Sequence, residues 1–246
     1  MRTGLAFGVA GALVFGSAAF AGPLMKLPVD RAAVTGLRTT KAGDMDMVFG
    51  PFPSAAPARV GYFGLNGAQY SISRPTEAEI VHVQSGQNTW VGQTGKALRV
   101  KRGDVVFFAA RKANTARDAA GYTDHYILFP ATGAAADKTP DVAVFNPADL
   151  KPDEFSAVDG GAEHVWLASD EGSRVVAWRA AERGAVTRTA DFRYLAVTGG
   201  RATFSEGGTE TAVAAGDTLL IPAGSSYSWR GEGLVGVLVS VKPKPD

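Results

Sequence analysis

The sequence predicts an all-β protein, an internally duplicated antiparallel sandwich or barrel, and two observations carry that prediction. From Arg59 onward the chain is a succession of short apolar runs rich in Val, Ile, Phe, Tyr and Trp, cut by glycine turns: ARVGYFG, QYSIS, EIVHVQSG, QNTWVG, KALRVKRGD, VVFFAA and HYILFP. Runs of this length and composition, bounded by glycine, read as strands. The second observation is repetition, because the later half runs RVVAWRAAERG, YLAVTGGRATF, TETAVAAGD, TLLIPAG and GVLVSV. Val60 lines up with Val176, Gly86 with Gly200 and Gly103 with Gly216, at offsets of 116, 114 and 113 residues. Landmarks that hold register over such a distance point to an internal duplication.

The elements follow in chain order. Residues 1–21, MRTGLAFGVAGALVFGSAAFA, have one basic residue, an uncharged apolar run and small residues at Ala19 and Ala21. That is the layout of a secretory signal peptide cut after Ala21, and its glycine-interrupted run is short for a membrane anchor. The mature protein is expected to be exported, and periplasmic in a Gram-negative source, with no membrane attachment after cleavage. Residues 22–57 carry several prolines and few long apolar runs, so an extended N-terminal arm is expected there, lying against a domain or a second subunit. The first barrel is placed at 58–132 and the second at 164–246. Between them, 133–163 reads as a linker in which PADLKPDEF contributes a helical turn.

Composition removes several function classes. With no cysteine there are no disulfides, no thiolate metal ligands and no cysteine nucleophile. Basic and acidic residues balance at 25 to 24, without runs of either sign, so no nucleic-acid partner is expected. A Gly-rich phosphate loop, a G-x-S-x-G elbow and a His-Glu-x-x-His helix are all absent from the sequence.

The stretch GDTLLIPAG, from Gly216 to Gly224, resembles the second motif of the cupins, G-x(5)-P-x-G-x(2)-H-x(3)-N. TEAEIVHVQSG resembles the end of their first motif, with Glu79 seven residues before Gly86. The VAW strand and PAGSSYSW are similar to the cupin subgroup that includes ureidoglycine aminohydrolase. The resemblance implies a bicupin, two jelly-roll barrels each able to enclose a small pocket. It also implies a position for metal, since metal-binding cupins hold Mn, Fe, Ni or Zn with three histidines and a glutamate whose lone pairs converge.

In this chain those positions are altered. In the second barrel the second-motif histidine position is Tyr227 and the glutamate position is Arg193. The first-motif histidine positions are Val186 and Arg188, or Thr187 and Thr189 with a slip of one. Arginine has no lone pair to offer. In the first barrel Glu79 is kept, but the histidine position is Asn114, and the other two are Ile72 and Arg74, or Ser73 and Pro75. Neither copy keeps the ligand set, so no metal cofactor is expected; Mn, Fe or Zn would be the metals if one were held. None of the three histidines falls on a motif position. His82 reads as a surface or inter-barrel residue facing away from Glu79 by strand alternation. His125 leads a strand that could reach the first pocket, and His164 reads as a packing or hydrogen-bonding residue.

Three functions stay open on these residues. The first is binding of a small metabolite, an anion if Arg188 and Arg193 both point inward. A buried guanidinium requires a partner, and a carboxylate held also by Tyr227 would supply it. Ser225 is a further candidate, Trp229 would add an aromatic wall, and an Arg193–Asp191 pair at the rim is the structural alternative. In the first barrel Arg74, Glu79 and Asn114 form a second candidate cluster, with Glu79 a candidate general base. The second function is a metal-dependent enzyme similar to ureidoglycine aminohydrolase, with a site around Glu79 and His125. The third is a structural protein whose barrels and arm form a homodimer.

Overall fold

The computed structural model describes residues 22–42, 44–73, 76–131 and 140–243; the leader expected at 1–21 and the candidate Arg74 lie outside them. The described residues form strands, short 3-10 turns and no α-helix. β1 is a two-residue strand, Met25–Lys26. The first sheet holds β2 (Arg38–Ala42), β3 (Met45–Pro51), β4 (Arg59–Ser73), β5 (Glu77–Val91), β6 (Ala97–Lys101), β7 (Val105–Phe108), β8 (Ala113–Pro130) and β9 (Val142–Val144). The remaining strands are β10 (Ser156–Val158), β11 (Gly161–Ala168), β12 (Ser173–Ala180), β13 (Arg183–Val186), β14 (Phe192–Glu206), β15 (Thr209–Ala214), β16 (Thr218–Ile221) and β17 (Tyr227–Val241).

The duplication is visible in the topology. The first sheet runs β2-β3-β4-β8-β5-β7-β9 with β6 on β5; the second runs β10-β11-β12-β17-β14-β16-β1 with β15 on β14 and β13 on β17. Along these two paths each strand of one sheet has its counterpart in the other. The last place differs in origin, because β9 follows the first barrel in the chain while β1 comes from the N-terminus to pair antiparallel with β16. Two glycine landmarks hold in detail. Gly86 and Gly200 have φ of +66° and +67°, and a Cβ on either would stand 2.3 Å from Gly121 O or 2.0 Å from Gly233 O. Only glycine fits both the dihedral and the close approach.

One landmark needs correction. Val60 packs in the core between the sheets, whereas Val176 faces the inside of the second barrel, and the residue that shares Val60's environment is Val175. A slip of one residue exchanges the two faces of a strand, and adjacent valines at 175 and 176 concealed it.

Three apolar cores follow from strand alternation. Val81, Val83, Trp90, Phe108 and Tyr122 fill the first barrel. Leu195, Val197, Phe204, Tyr227 and Trp229 fill the second. Ile80, Phe107, Ile127, Phe129, Phe192, Tyr194 and Val239 pack between the two sheets. Residues 78–84 of β5 are therefore buried on both faces, which explains why EIVHVQ reads as a continuous apolar run rather than as an alternation.

The stretch expected as an extended arm is woven into both sheets. β1 joins the second sheet, Leu27 is fully buried, and Lys26 pairs with Asp217 at 2.7 Å. β2 and β3 extend the first sheet through β4. The stretch expected as a linker likewise gives β9 to one sheet and β10 to the other, and PADLKPDEF forms 3-10 turns at Pro147–Asp149 and Pro152–Glu154.

Candidate functional site

The second barrel opens onto a cavity of about 260 Å³ lined by Arg193, Tyr227, Trp229, Trp178 and Asp191, among others. Register explains the gathering. Arg193 lies opposite Ile221 on β16 and Ser240 on β17, on the same β14 face as Leu195 and Val197, which fill this barrel. Arg193 Nη1 donates to the Tyr227 hydroxyl at 3.0 Å. Burial raises the Tyr227 pKa while the neighbouring Arg193 charge and hydrogen bond oppose that rise, so the phenol remains neutral. Arg193 Nε is buried without a hydrogen-bond partner, and among the described residues no carboxylate pairs with this guanidinium. The rim pair with Asp191 is therefore not formed. Instead the Asp191 backbone is tied to Thr189, whose hydroxyl donates to the Asp191 carbonyl at 3.2 Å.

The aromatic wall is fixed by glycine. Trp229 and Tyr227 face the same way, with ring centroids 6.1 Å apart, and Trp178 meets Trp229 edge-on at 5.4 Å. Trp229 Nε1 donates to Ala181 O at 3.1 Å. A Cβ on Gly184 would lie 2.1 Å from the Trp229 ring, so the wall depends on that residue being glycine. Trp178 was not singled out as a site residue from sequence, although alternation from Val176 puts it on the inner face.

Arg188 does not join the site. It is exposed, holds φ of +58° in the turn between β13 and β14, and donates its backbone N–H to Ser226 Oγ at 3.0 Å. The left-handed turn carries its side chain into solvent, and Val186 of the same segment lines the cavity instead. Thr189 and Ser225 are buried, with the Thr189 N–H donating to Ser225 O at 2.8 Å, and they brace the turn.

In the first barrel Glu79 and Asn114 occupy the places that Arg193 and Tyr227 hold in the second. Glu79 faces Phe108 and Leu128 as Arg193 faces Ile221 and Ser240. Both are buried, together with Asn88, Trp90, Tyr122 and Asp124. The Asn114 amide has no hydrogen-bond partner among the described residues. Burial, then the nearby Asp124 charge, holds the Tyr122 phenol neutral.

Glu79 and His125 are not brought together. Glu79 belongs to the inner face of the first barrel, whereas His125 pairs directly with His82 on the opposite face, between the sheets. His125 Nε2 lies 3.0 Å from Pro28 O and must donate to it, so its Nδ1 accepts from the Thr218 hydroxyl at 3.1 Å. Thr218 Oγ1 then accepts from His82 Nδ1–H at 3.0 Å, and His82 Nε2 is buried with no partner among the described residues. Burial, with the second imidazole, lowers the His82 pKa to about 3. Burial lowers that of His125 to about 4, against the opposing pull of the Pro28 carbonyl and Asp217. These neutral histidines belong to the seam between the sheets. His164 Nδ1 lies 3.0 Å from Glu154 O on the outside. Among the described residues no three His, Asp or Glu side chains converge on a metal position. In the second barrel the guanidinium at the glutamate position has no lone pair for one.

A larger open groove, of about 580 Å³, lies on the outer face of the second sheet. Its cations are largely spent on ion pairs, Lys26 with Asp217 and Arg201 with Glu232, each at 2.7 Å. The smaller cavity is the better candidate because its unpaired cation, Arg193, is half-buried, whereas the groove's unpaired cation, Arg183, is exposed.

No protein-family model matches the chain, and no curated protein matches it. Solved structures do. A protein of unknown function from Pseudomonas syringae pv. tomato aligns with TM-score 0.63 and 13% identity, covering 89% of this chain and 99% of that one. A Cupin 2 conserved barrel domain protein from Leptotrichia buccalis aligns with TM-score 0.60 and 11% identity, over 87% and 100% of the two chains. Streptomyces albus HEPD, solved with 2-hydroxyethylphosphonate and Fe(II) bound, aligns with TM-score 0.55 and 10% identity, over 90% and 76%. The chain therefore has a cupin-type barrel fold.

Proposed function

We propose that this chain is an exported bicupin whose second barrel binds a small carboxylate without a metal. The observation that carries the reading is Arg193, a guanidinium turned into a cavity with one phenol as partner and no carboxylate paired with it among the described residues. A half-buried cation is stabilised by a counter-charge, and a carboxylate can take two of its N–H groups while accepting from the Tyr227 hydroxyl. The aromatic wall supplies the apolar part of such a site. Export rests on the leader sequence, and the mass of the mature protein in a periplasmic fraction tests cleavage after Ala21.

The binding reading is tested by screening small carboxylates for a rise in melting temperature on wild type and Arg193→Met. Stabilisation of the wild type alone supports it; equal stabilisation of both proteins, or of neither, sinks it. An enzyme similar to ureidoglycine aminohydrolase lacks its expected site here, since Glu79 and His125 lie on opposite faces of the first sheet.

A further inference from the structure

We propose that the ligand of the second barrel is a zwitterion, its carboxylate on Arg193 and Tyr227 and its cationic end toward Asp191 and the tryptophan wall. This rests on the carboxylate reading above and narrows it. The charges of the cavity make the argument. Its walls carry Arg174 and Arg193 against Asp159, Glu163 and Asp191. Arg174 is taken by Glu163 at 2.6 Å, and among the described residues neither Asp159 nor Asp191 has a basic partner. The walls are thus one charge negative. A simple anion would make that two, whereas a zwitterion leaves it unchanged and gives both Arg193 and the aspartates a counter-charge.

The aromatic wall favours the same ligand. The Trp229 N–H is occupied by Ala181 O, and the Trp178 and Trp229 rings line the cavity, where an aromatic ring attracts ammonium groups. Volume sets the upper limit, because about 260 Å³ admits a molecule of amino-acid or betaine size and little more. A site with an acceptor for each pole selects the ligand carrying both.

The experiment is calorimetric titration of the mature chain with glycine betaine and β-alanine as zwitterions, propionate as anion and choline as cation. At least one zwitterion is expected to bind about tenfold or more tighter than propionate, a difference near 1.4 kcal/mol. Asp191→Asn is expected to weaken the zwitterion about fivefold or more and leave propionate unchanged or tighter. Arg193→Met is expected to abolish both, with Arg193→Lys, which keeps the charge, as a control for folding. Propionate binding as tightly as either zwitterion, with Asp191→Asn without effect, overturns the zwitterion and leaves the carboxylate reading standing. Zwitterion binding that survives Arg193→Met overturns both, as does the absence of binding by every probe.

Discussion

The two barrels share a strand order and differ in what they enclose. At matched places the first holds Glu79 and Asn114 where the second holds Arg193 and Tyr227, and Phe63 and Ala116 where the second has Trp178 and Trp229. One interior holds a buried polar cluster and the other an open cavity of inverted charge. The two barrels keep one strand order although these inner residues differ, so at these positions a side chain can change sign without changing the fold. Function in this architecture belongs to those inner side chains rather than to the scaffold.

The seam between the halves is as unequal as their interiors. Matched pairing puts Ala196 in the place of His82, Val237 in that of His125 and Thr218 in that of Val105, so both imidazoles come from one half and the hydroxyl from the other. Acid should act there first and with the largest effect. Both folded pKa values lie below the ordinary 6.5, so the unfolded chain takes up protons that the folded chain refuses. The stability they contribute is complete above pH 6.5 and is lost as pH falls toward 4 and then 3. Each histidine forfeits about 1.4 kcal/mol per pH unit, or roughly 4 kcal/mol for the pair at pH 5. Urea unfolding at pH 7, 6 and 5 measures it, and an unchanged midpoint would show the seam to be polar and open.

The next effect tests whether the halves are equivalent in backbone. Gly86→Ala and Gly200→Ala each drive a Cβ into a carbonyl at positive φ and should cost about 3 kcal/mol or more apiece. A half that tolerates the change breaks the equivalence. In the cavity, Gly184→Ala should displace Trp229 and lower carboxylate affinity about fivefold or more, roughly 1 kcal/mol, with a fall in tryptophan-ring circular dichroism as the independent sign. The smallest change runs the other way. The first barrel has Arg111 at φ of +61° where the second has Gly224 at +88°, and Arg111→Gly should raise stability by about 1 kcal/mol.

Much of this was legible in the sequence, for identifiable reasons. The long strands β5 and β14 show as apolar runs because both their faces are buried over part of their length. Arg193 and Tyr227 could be placed because they stand at fixed distances from Gly200 and Pro222. Strands β2 and β3 were both missed; β2, the outermost, has Arg38, Thr39, Thr40 and Lys41 exposed and carries no apolar alternation. Arg188 was a candidate because it falls on a first-motif histidine position, whereas the left-handed turn at that residue carries its side chain out. Glu163, Arg174 and Trp178 reach the cavity from neighbouring strands and Asp159 from the turn between β10 and β11, and cross-strand neighbours are set by register, which a run of valines leaves undetermined.

The pairing of β1 with β16 carries a consequence for how the chain folds. Met25 finds Leu220 across most of the chain, so the earliest strand among the described residues waits for nearly the last. Closing so long a loop is entropically costly and slow. The first barrel has all its own strands by Val144 and can condense while the second still lacks its border strand. Assembly is thus ordered by the chain itself, and the N-terminal segment acts as a late-closing clasp whose release would expose the edge of β16 to other unpaired strands.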